Sequence, residues 1–240
     1  MVFDIPREVV FPVEHVDVAL DPAPHPFETR HRPEIEANWQ SEVAANPALF
    51  DGQMALLSRL AYRDGQLAGI CHAIRYATFL YWRKVRPRPD VRHAFAHAMP
   101  VTSDGALIAA RMGRKTANPG RVYFAAGSFE MADVTDGRVD VESNMMREVA
   151  EEIGLDLARL DRDPHYHAWS SDSGTVIFRR YRIPMAADQA DRAIRGFIAA
   201  EADPEIEEPV IIRSAADLPE GISPHMRPLI AWHFDGGASP

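Results

Sequence analysis

The chain has 240 residues, of which 46% are hydrophobic and 25% charged, a balance that supports a folded globular protein and excludes global disorder. Its formal net charge of -9 excludes a general nucleic-acid binder, which needs a basic footprint to displace counterions, and suits an acidic enzyme that holds divalent cations. The length admits one large domain, or a domain of roughly 150 residues with a smaller partner.

Met1 to Leu20 carries acidic residues and no continuous apolar core flanked by positive charge. It does not read as a secretory signal, and no later stretch is apolar for long enough to span a bilayer, so the cytoplasm is the expected location and no membrane partner is expected. The single cysteine, Cys71, cannot form an internal disulfide and reads as a small buried side chain beside Ile70 and Ala73.

In chain order, Val2 to Asp21 mixes β-branched runs with Pro6 and Pro12, which predicts one or two edge strands, and His25 to Pro33 reads as loop. Ile35, Trp39 and Val43 recur every four residues and predict an amphipathic helix over Glu34 to Ala45. Met54 to Tyr62 and Gln66 to Ala73 flank Arg63-Asp64-Gly65 as a hairpin, because Asp-Gly supplies the positive φ that a tight turn requires. Tyr76, Phe79, Leu80 and Lys84 lie at helical spacing before Pro87 and Pro89, which mark a linker between two units, residues 1–89 and 90–240. That aromatic stripe reads as core.

A second hairpin is expected from Phe95 to Val101 and Ala106 to Met112, and Arg121 to Ala125 reads as a short strand leading to Gly127. A third hairpin spans Tyr166 to Trp169 and Thr175 to Ile183 about Asp172-Ser173-Gly174. Asp188 to Ala200 reads as a helix, Pro209 to Ile212 as a strand, and Pro224 to Phe234 as a closing helix. There is no internal repeat.

The informative stretch begins at Asp140. Asp140 or Ser143 can cap a helix that runs through Met145, Arg147, Glu148, Glu151 and Glu152 to Ile153, where Gly154 supplies the stop. At 100° per residue Glu148 lies one turn below Glu151 and Glu152, so three carboxylates share one face, while Met145, Val149 and Ile153 anchor the helix to a core. Arg147 answers part of this charge through its spacing to Glu151. A hard divalent cation such as Mg²⁺ or Mn²⁺ would answer the rest and bind substrate phosphate as well.

Arg147 to Leu155 reads REVAEEIGL, which resembles, position by position, the second half of the Nudix signature, REUxEExGU with U a bulky aliphatic residue. The resemblance implies an α/β/α sandwich around a mixed sheet, here with a small N-terminal α/β lobe, and a metal-dependent hydrolase that cleaves a diphosphate linkage in a nucleotide-type small molecule. It implies Glu148, Glu151 and Glu152 as metal ligands and catalytic carboxylates, with Arg147 bracing the loop. Gly127, after Ala126, looks like the glycine that opens the signature, where a backbone carbonyl can join the metal shell. The first half departs from the family: fourteen positions normally separate that glycine from the arginine, and here twenty do. An insertion of about six residues around Val134 to Arg138, with its Asp136-Gly137 turn, would restore the register. Glu130, Asp133 or Asp140 would then partner Arg147. Trp39 and Asn46 to Gly52 resemble the N-terminal lobe of UDP-sugar-cleaving members, although Trp39, Leu49 and Phe50 could equally pack a small lobe.

The general base is left open among Glu148, Glu152 and a later acid from Glu205, Glu207 and Glu208. Arg111, Arg114 and Lys115, which precede Gly127, are candidates to meet substrate phosphates. The pairs His93/His97 and His165/His167 lack a complete set of nearby ligands for zinc. The leading substrate is a nucleoside-diphosphate-linked molecule, with a nucleotide sugar foremost and ADP-ribose or coenzyme A as alternatives. A Nudix-fold sensor that binds a nucleotide without hydrolysing it is disfavoured by the intact glutamates. A third reading is an interaction scaffold or homodimer that uses aromatics from Tyr76 to Trp82.

Overall fold

The computed structural model describes residues 3–237; Met1, Val2 and residues 238–240 lie outside the described residues, and with them the first residue of the expected opening strand. The chain opens with β1 (Phe3–Asp4), β2 (Val10–Val13) and β3 (His15–Asp21), followed by α1 (Pro26–Arg30) and α2 (Arg32–Ala45). β4 (Gln53–Arg63) and β5 (Gln66–Arg75) lead to α3 (Tyr76–Val85), and β6 (Ala94–Val101), β7 (Leu107–Met112) and β8 (Val122–Tyr123) follow. β9 (Val134–Thr135) and β10 (Arg138–Val139) feed α4 (Val141–Ile153). The remainder is β11 (Asp161–Arg162), β12 (Tyr166–Ser171), β13 (Gly174–Arg182), α5 (Ala187–Ala200), β14 (Ile206–Ile212) and α6 (Met226–Phe234).

Turn chemistry sets the hairpins. Arg63 pairs with Gln66 across Asp64 (φ 48°) and Gly65 (φ 81°), the two positive dihedrals of a tight reverse turn whose twist matches the strands. Asp136 (φ 51°) and Gly137 (φ 71°) repeat the device between β9 and β10. This hairpin occupies the stretch where the sequence required an insertion, and it pairs Arg138 with Ala19 of β3. β1 and the proline-bearing β2 are edge strands, one in each sheet, as the opening segment predicted, whereas β3, which has no proline, is an interior strand flanked by β5 and β10.

The segment expected to be loop after His25 is helical. Pro26 stands at the first helical position, where its missing N–H costs nothing, and the His25 ring Nδ1 accepts the Phe27 N–H at 3.0 Å. Phe27 is fully buried in compensation. The expected strand at Arg121 to Ala125 shrinks to β8, two residues paired on β7.

Two mixed sheets result, in the orders β1-β4-β5-β3-β10-β9 and β14-β7-β6-β13-β12-β2, with β8 and β11 added to the second beside β7 and β13. Side-chain alternation decides the layers. On β6, Ala94, Ala96 and Ala98 face a cluster that includes Met145, Val149 and Ile153 of α4, whereas Met99 faces a cluster that includes Leu229 and Ile230 of α6. Three alanines in a row leave room for α4 to lie close on the sheet. The second sheet is thus sandwiched between α4 with α5 on one face and α6 on the other, the mixed α/β/α arrangement expected. The first sheet contributes Ala55, Leu57, Leu60, Leu67 and Cys71 to the α4 cluster and covers its other face with α1 and α3 through Phe27, Phe79 and Trp82.

The aromatic stripe of α3 is therefore core, which removes Phe79 and Trp82 from any self-association surface. Burial pushes the Cys71 thiol up to about 11, in keeping with an inert buried side chain. No helix among the described residues is long and apolar enough to cross a membrane.

Candidate active site

Seven residues of α4 are buried: Val141, Asn144, Met145, Glu148, Val149, Glu152 and Ile153. Their spacing of three and four makes one stripe, and the two glutamates sit on its edge. Fully burying each apolar member contributes roughly 1.5–3 kcal/mol, enough together to hold the two carboxylates out of water. Asp140, rather than Ser143, caps the helix, accepting the Ser143 N–H at 3.0 Å, and Gly154 ends it at φ 69°. A side chain at Gly154 would overlap the Phe197 ring, so the glycine also lets α5 close on the end of α4.

Of the three acids open as partners of Arg147, the structure selects Asp133. Its carboxylate, in a residue 2% exposed, accepts Arg147 Nε at 3.2 Å and Nη2 at 3.0 Å in a fork. It also accepts Asn144 Nδ2 at 2.9 Å and the Glu130 N–H at 2.8 Å. Asp133 stands six residues after Gly127, the register that the insertion restores, and the β9-β10 hairpin leaves and returns immediately behind it.

The loop that carries Gly127 is pinned to both sheets. The Ala55 N–H donates to the Phe129 carbonyl at 2.7 Å, and Phe95 bridges to Ser128. A Cβ at Gly127 would overlap the Glu148 carboxylate, so the glycine lets that carboxylate lie against the loop. On the other side, the Ala126 N–H donates to Glu152 Oε2 at 3.1 Å.

The three glutamates differ. Glu151 is exposed and pairs with Arg147 Nη1 at 3.2 Å, as its spacing suggested. Glu148 and Glu152 are 9% and 6% exposed. Burial raises Glu148 to about 7, although Arg147 Nη2 stands 2.8 Å away and opposes the shift. Desolvation outweighs one arginine that is already shared with two other carboxylates. Glu152 is held well above the carboxylate range, first by burial and then by the charge of Glu148. Among the described residues no three His, Cys, Asp or Glu side chains are gathered tightly enough to hold an ion as oriented. The donor set nevertheless fits a hard divalent cation, because two buried, mutually repelling carboxylates have one arginine and one N–H between them.

These carboxylates open on a cleft of about 460 Å³ lined by Glu148, Glu151 and Glu152 from α4, Phe197 and Ile198 from α5, and Glu205. Of the later acids, Glu205 reaches this cleft; Glu208 instead pairs with Arg111 at 3.1 Å and with Arg195 at 3.4 Å, and Glu207 is exposed. A larger cavity of about 520 Å³ lies in the N-terminal part, between the β3-α1 loop and the end of β5, and includes none of these glutamates.

The basic candidates sit at different depths. Arg111 is committed to Glu208 and to the Gly120 and Glu220 carbonyls. Lys115 pairs with Asp203 on the cleft rim at 2.6 Å, and Arg114 is exposed on the same loop. His93, just before β6, and His97 on β6 are buried, bonded to Ser128 Oγ and His225 Nε2 at 3.0 Å each, while His165 is exposed and His167 packs on Trp232. In the segment likened to UDP-sugar enzymes, Phe50 is 83% exposed and joins no core cluster among the described residues, whereas Asp51 accepts the Ala77 N–H at 3.0 Å and fixes the start of α3. Sequence reasoning missed Asn144, whose only signal is a polar residue inside the buried stripe of α4.

No protein-family profile matches the chain, and no curated protein matches it. Among solved structures it is similar to a MutT protein from Methanosarcina mazei Go1, at 14% identity over 62% of this chain and 96% of that one, with a TM-score of 0.41. It is also similar to DR0079 from Deinococcus radiodurans, at 14% identity over 65% and 82% with a TM-score of 0.35. The E. coli ORF135 protein shares 15% identity over 64% of this chain and 96% of its own, with a TM-score of 0.39.

Proposed function

We propose that this protein is a Nudix-type pyrophosphohydrolase that uses Mg²⁺ or Mn²⁺ to cleave the diphosphate linkage of a nucleoside-diphosphate-linked small molecule, with a nucleotide sugar the leading substrate. The observation that carries this reading is the buried carboxylate pair Glu148 and Glu152, held at a cleft by a helix whose Arg147 is locked to Asp133. Such a pair is costly in a resting protein and useful where charge must be met.

Glu148, Glu152 and Glu151 would hold the cation, with the backbone at Ala126 and Gly127 beside them. A bound divalent cation supplies Lewis-acid neutralisation of the charge on the non-bridging phosphate oxygens. The chain's own residues do the rest. Asp133, itself held by Asn144, takes two nitrogens of Arg147, so the arginine is shared and does not neutralise Glu148 alone. Phe197 and Ile198 shield one wall from water. Glu205, exposed at the cleft and in no ion pair among the described residues, would accept the proton of the attacking water, a role for which Glu148 and Glu152 are the alternatives.

The test is a turnover screen with Mg²⁺ and with Mn²⁺ against nucleotide sugars, ADP-ribose, dinucleoside polyphosphates and coenzyme A, with products separated by chromatography. A mononucleotide and a phosphorylated remainder are expected from at least one of them. No turnover of any would overturn the proposal.

A further inference from the structure

The cleft described above is walled by carboxylates, and a diphosphate brought to it needs cations that are not already spent. Most basic side chains near it are spent: Arg111 on Glu208, Lys115 on Asp203, and Arg147 on Asp133 and Glu151. Arg83 is different. It is half-buried on α3, in no ion pair among the described residues, and its contacts are the Asn118 side-chain carbonyl at 3.4 Å and the face of Phe79 at 5.8 Å. Holding a guanidinium partly out of water with no carboxylate costs stability unless an anion visits.

Two routes connect Arg83 to the glutamates. Along the first, Arg83 Nη2 donates to Asn118 Oδ1, and Asn118 Nδ2 donates to the Tyr123 hydroxyl at 3.4 Å. Tyr123 lies three residues before Ala126, whose N–H holds Glu152. Along the second, Phe79, under the Arg83 guanidinium, packs on His93 at 4.7 Å, and His93 bonds Ser128, the neighbour of Gly127. Electrostatics agrees with both. Burial is the main force raising the Tyr123 phenol, but Glu152 and Glu205 also raise it while Arg83 opposes them, so that one hydroxyl senses both ends of the site. His93 is depressed to about 3, by burial first and by the charges of Arg83 and Arg86 next.

We infer that Arg83, carried by α3 of the N-terminal part and steadied by Asn118, binds a phosphate of the anionic substrate beside the carboxylate cleft. This rests on the reading of that cleft as a diphosphate site. It gives the N-terminal part a direct role: Asp51 and the Gly52 carbonyl fix the first turn of α3, and the helix delivers its cation about two turns later. The Lys115–Asp203 pair on the rim leaves Arg83 as the half-buried, unspent cation on the Tyr123 side.

The test is calorimetric titration with inorganic pyrophosphate in the presence of Mg²⁺, on wild type, Arg83→Gln, Arg83→Lys and Arg59→Gln, the last an exposed arginine on β4. Losing a charge-assisted contact should weaken pyrophosphate binding about tenfold or more in Arg83→Gln and less in Arg83→Lys, and leave Arg59→Gln like wild type. Thermal melting checks that the variants fold; should Arg83→Gln melt early, Arg83→Lys carries the result, with weakened binding expected. Unchanged binding in every folded Arg83 variant, or no pyrophosphate binding by wild type, would overturn the inference. Failure of the turnover screen together with a loss of binding in Arg83→Gln would remove the hydrolase reading and leave this site standing. Turnover by wild type with unchanged pyrophosphate binding in Arg83→Gln would do the reverse.

Discussion

The two edges of helix α4 treat charge in opposite ways. On the Asp133 edge, a carboxylate 2% exposed receives Arg147, Asn144 and a backbone N–H, so both its oxygens are used. On the Glu152 edge, two buried carboxylates share one N–H and the Nη2 of Arg147 that also serves Asp133. Burial alone therefore does not separate structural acids from functional ones. What separates them is whether the protein supplies the counter-charge itself or leaves it to a ligand.

This contrast can be broken most sharply by neutralising one acid at a time. Glu152→Gln should lower turnover at least about a hundredfold in a steady-state assay, because a ligand charge is lost, while the metal-free fold melts no lower than wild type. Asp133→Ala should act the other way round, destabilising by about 3–5 kcal/mol in urea denaturation, because it strands Arg147 and Asn144. If both variants lose stability alike, the two edges are the same and the contrast fails.

The pH dependence of stability sharpens the same point. The Glu148 carboxyl has an ordinary value of 4.5 and stands at about 7 in the folded protein. The folded state thus keeps a proton that the unfolded chain has released. This contribution to metal-free stability is fullest below 4.5 and is lost as pH rises through about 7, by about 3 kcal/mol in all. Denaturation midpoints across pH 5 to 8 should fall in wild type and fall less in Glu148→Gln, where the raised carboxyl of Glu152 remains. A smaller effect concerns the inserted hairpin: Gly137→Ala, at φ 71°, should cost about 1 kcal/mol by chemical denaturation and leave turnover nearly intact.

Much of this was legible in the sequence where a local period or a turn dictates structure. The α4 stripe, its glycine stop and the Asp64-Gly65 and Asp136-Gly137 turns are such features, since each is fixed by neighbours a few residues away. The choice of Asp133 over Glu130 and Asp140 was not legible, because all three acids lie in a loop without period, and the β9-β10 hairpin that fixes the register consists of two-residue strands. The prolines around His25 misled for a related reason: proline begins helices as readily as it forms loops, and the deciding contact is the His25 ring. Glu151 and Glu152 are adjacent in sequence and opposite in burial, a difference set by the helix's rotation on the sheet. Arg83 was invisible as a site residue because its partners lie 35 residues and more downstream.

The most direct measurement of the central claim is the melting temperature at pH 8 with and without Mn²⁺, for wild type and for the Glu148→Gln/Glu152→Gln double variant. A cation that binds the folded state alone raises stability by mass action. The account predicts a clear, concentration-dependent rise for wild type and none for the double variant. An identical response of both proteins to Mn²⁺, or no response from wild type, would contradict it.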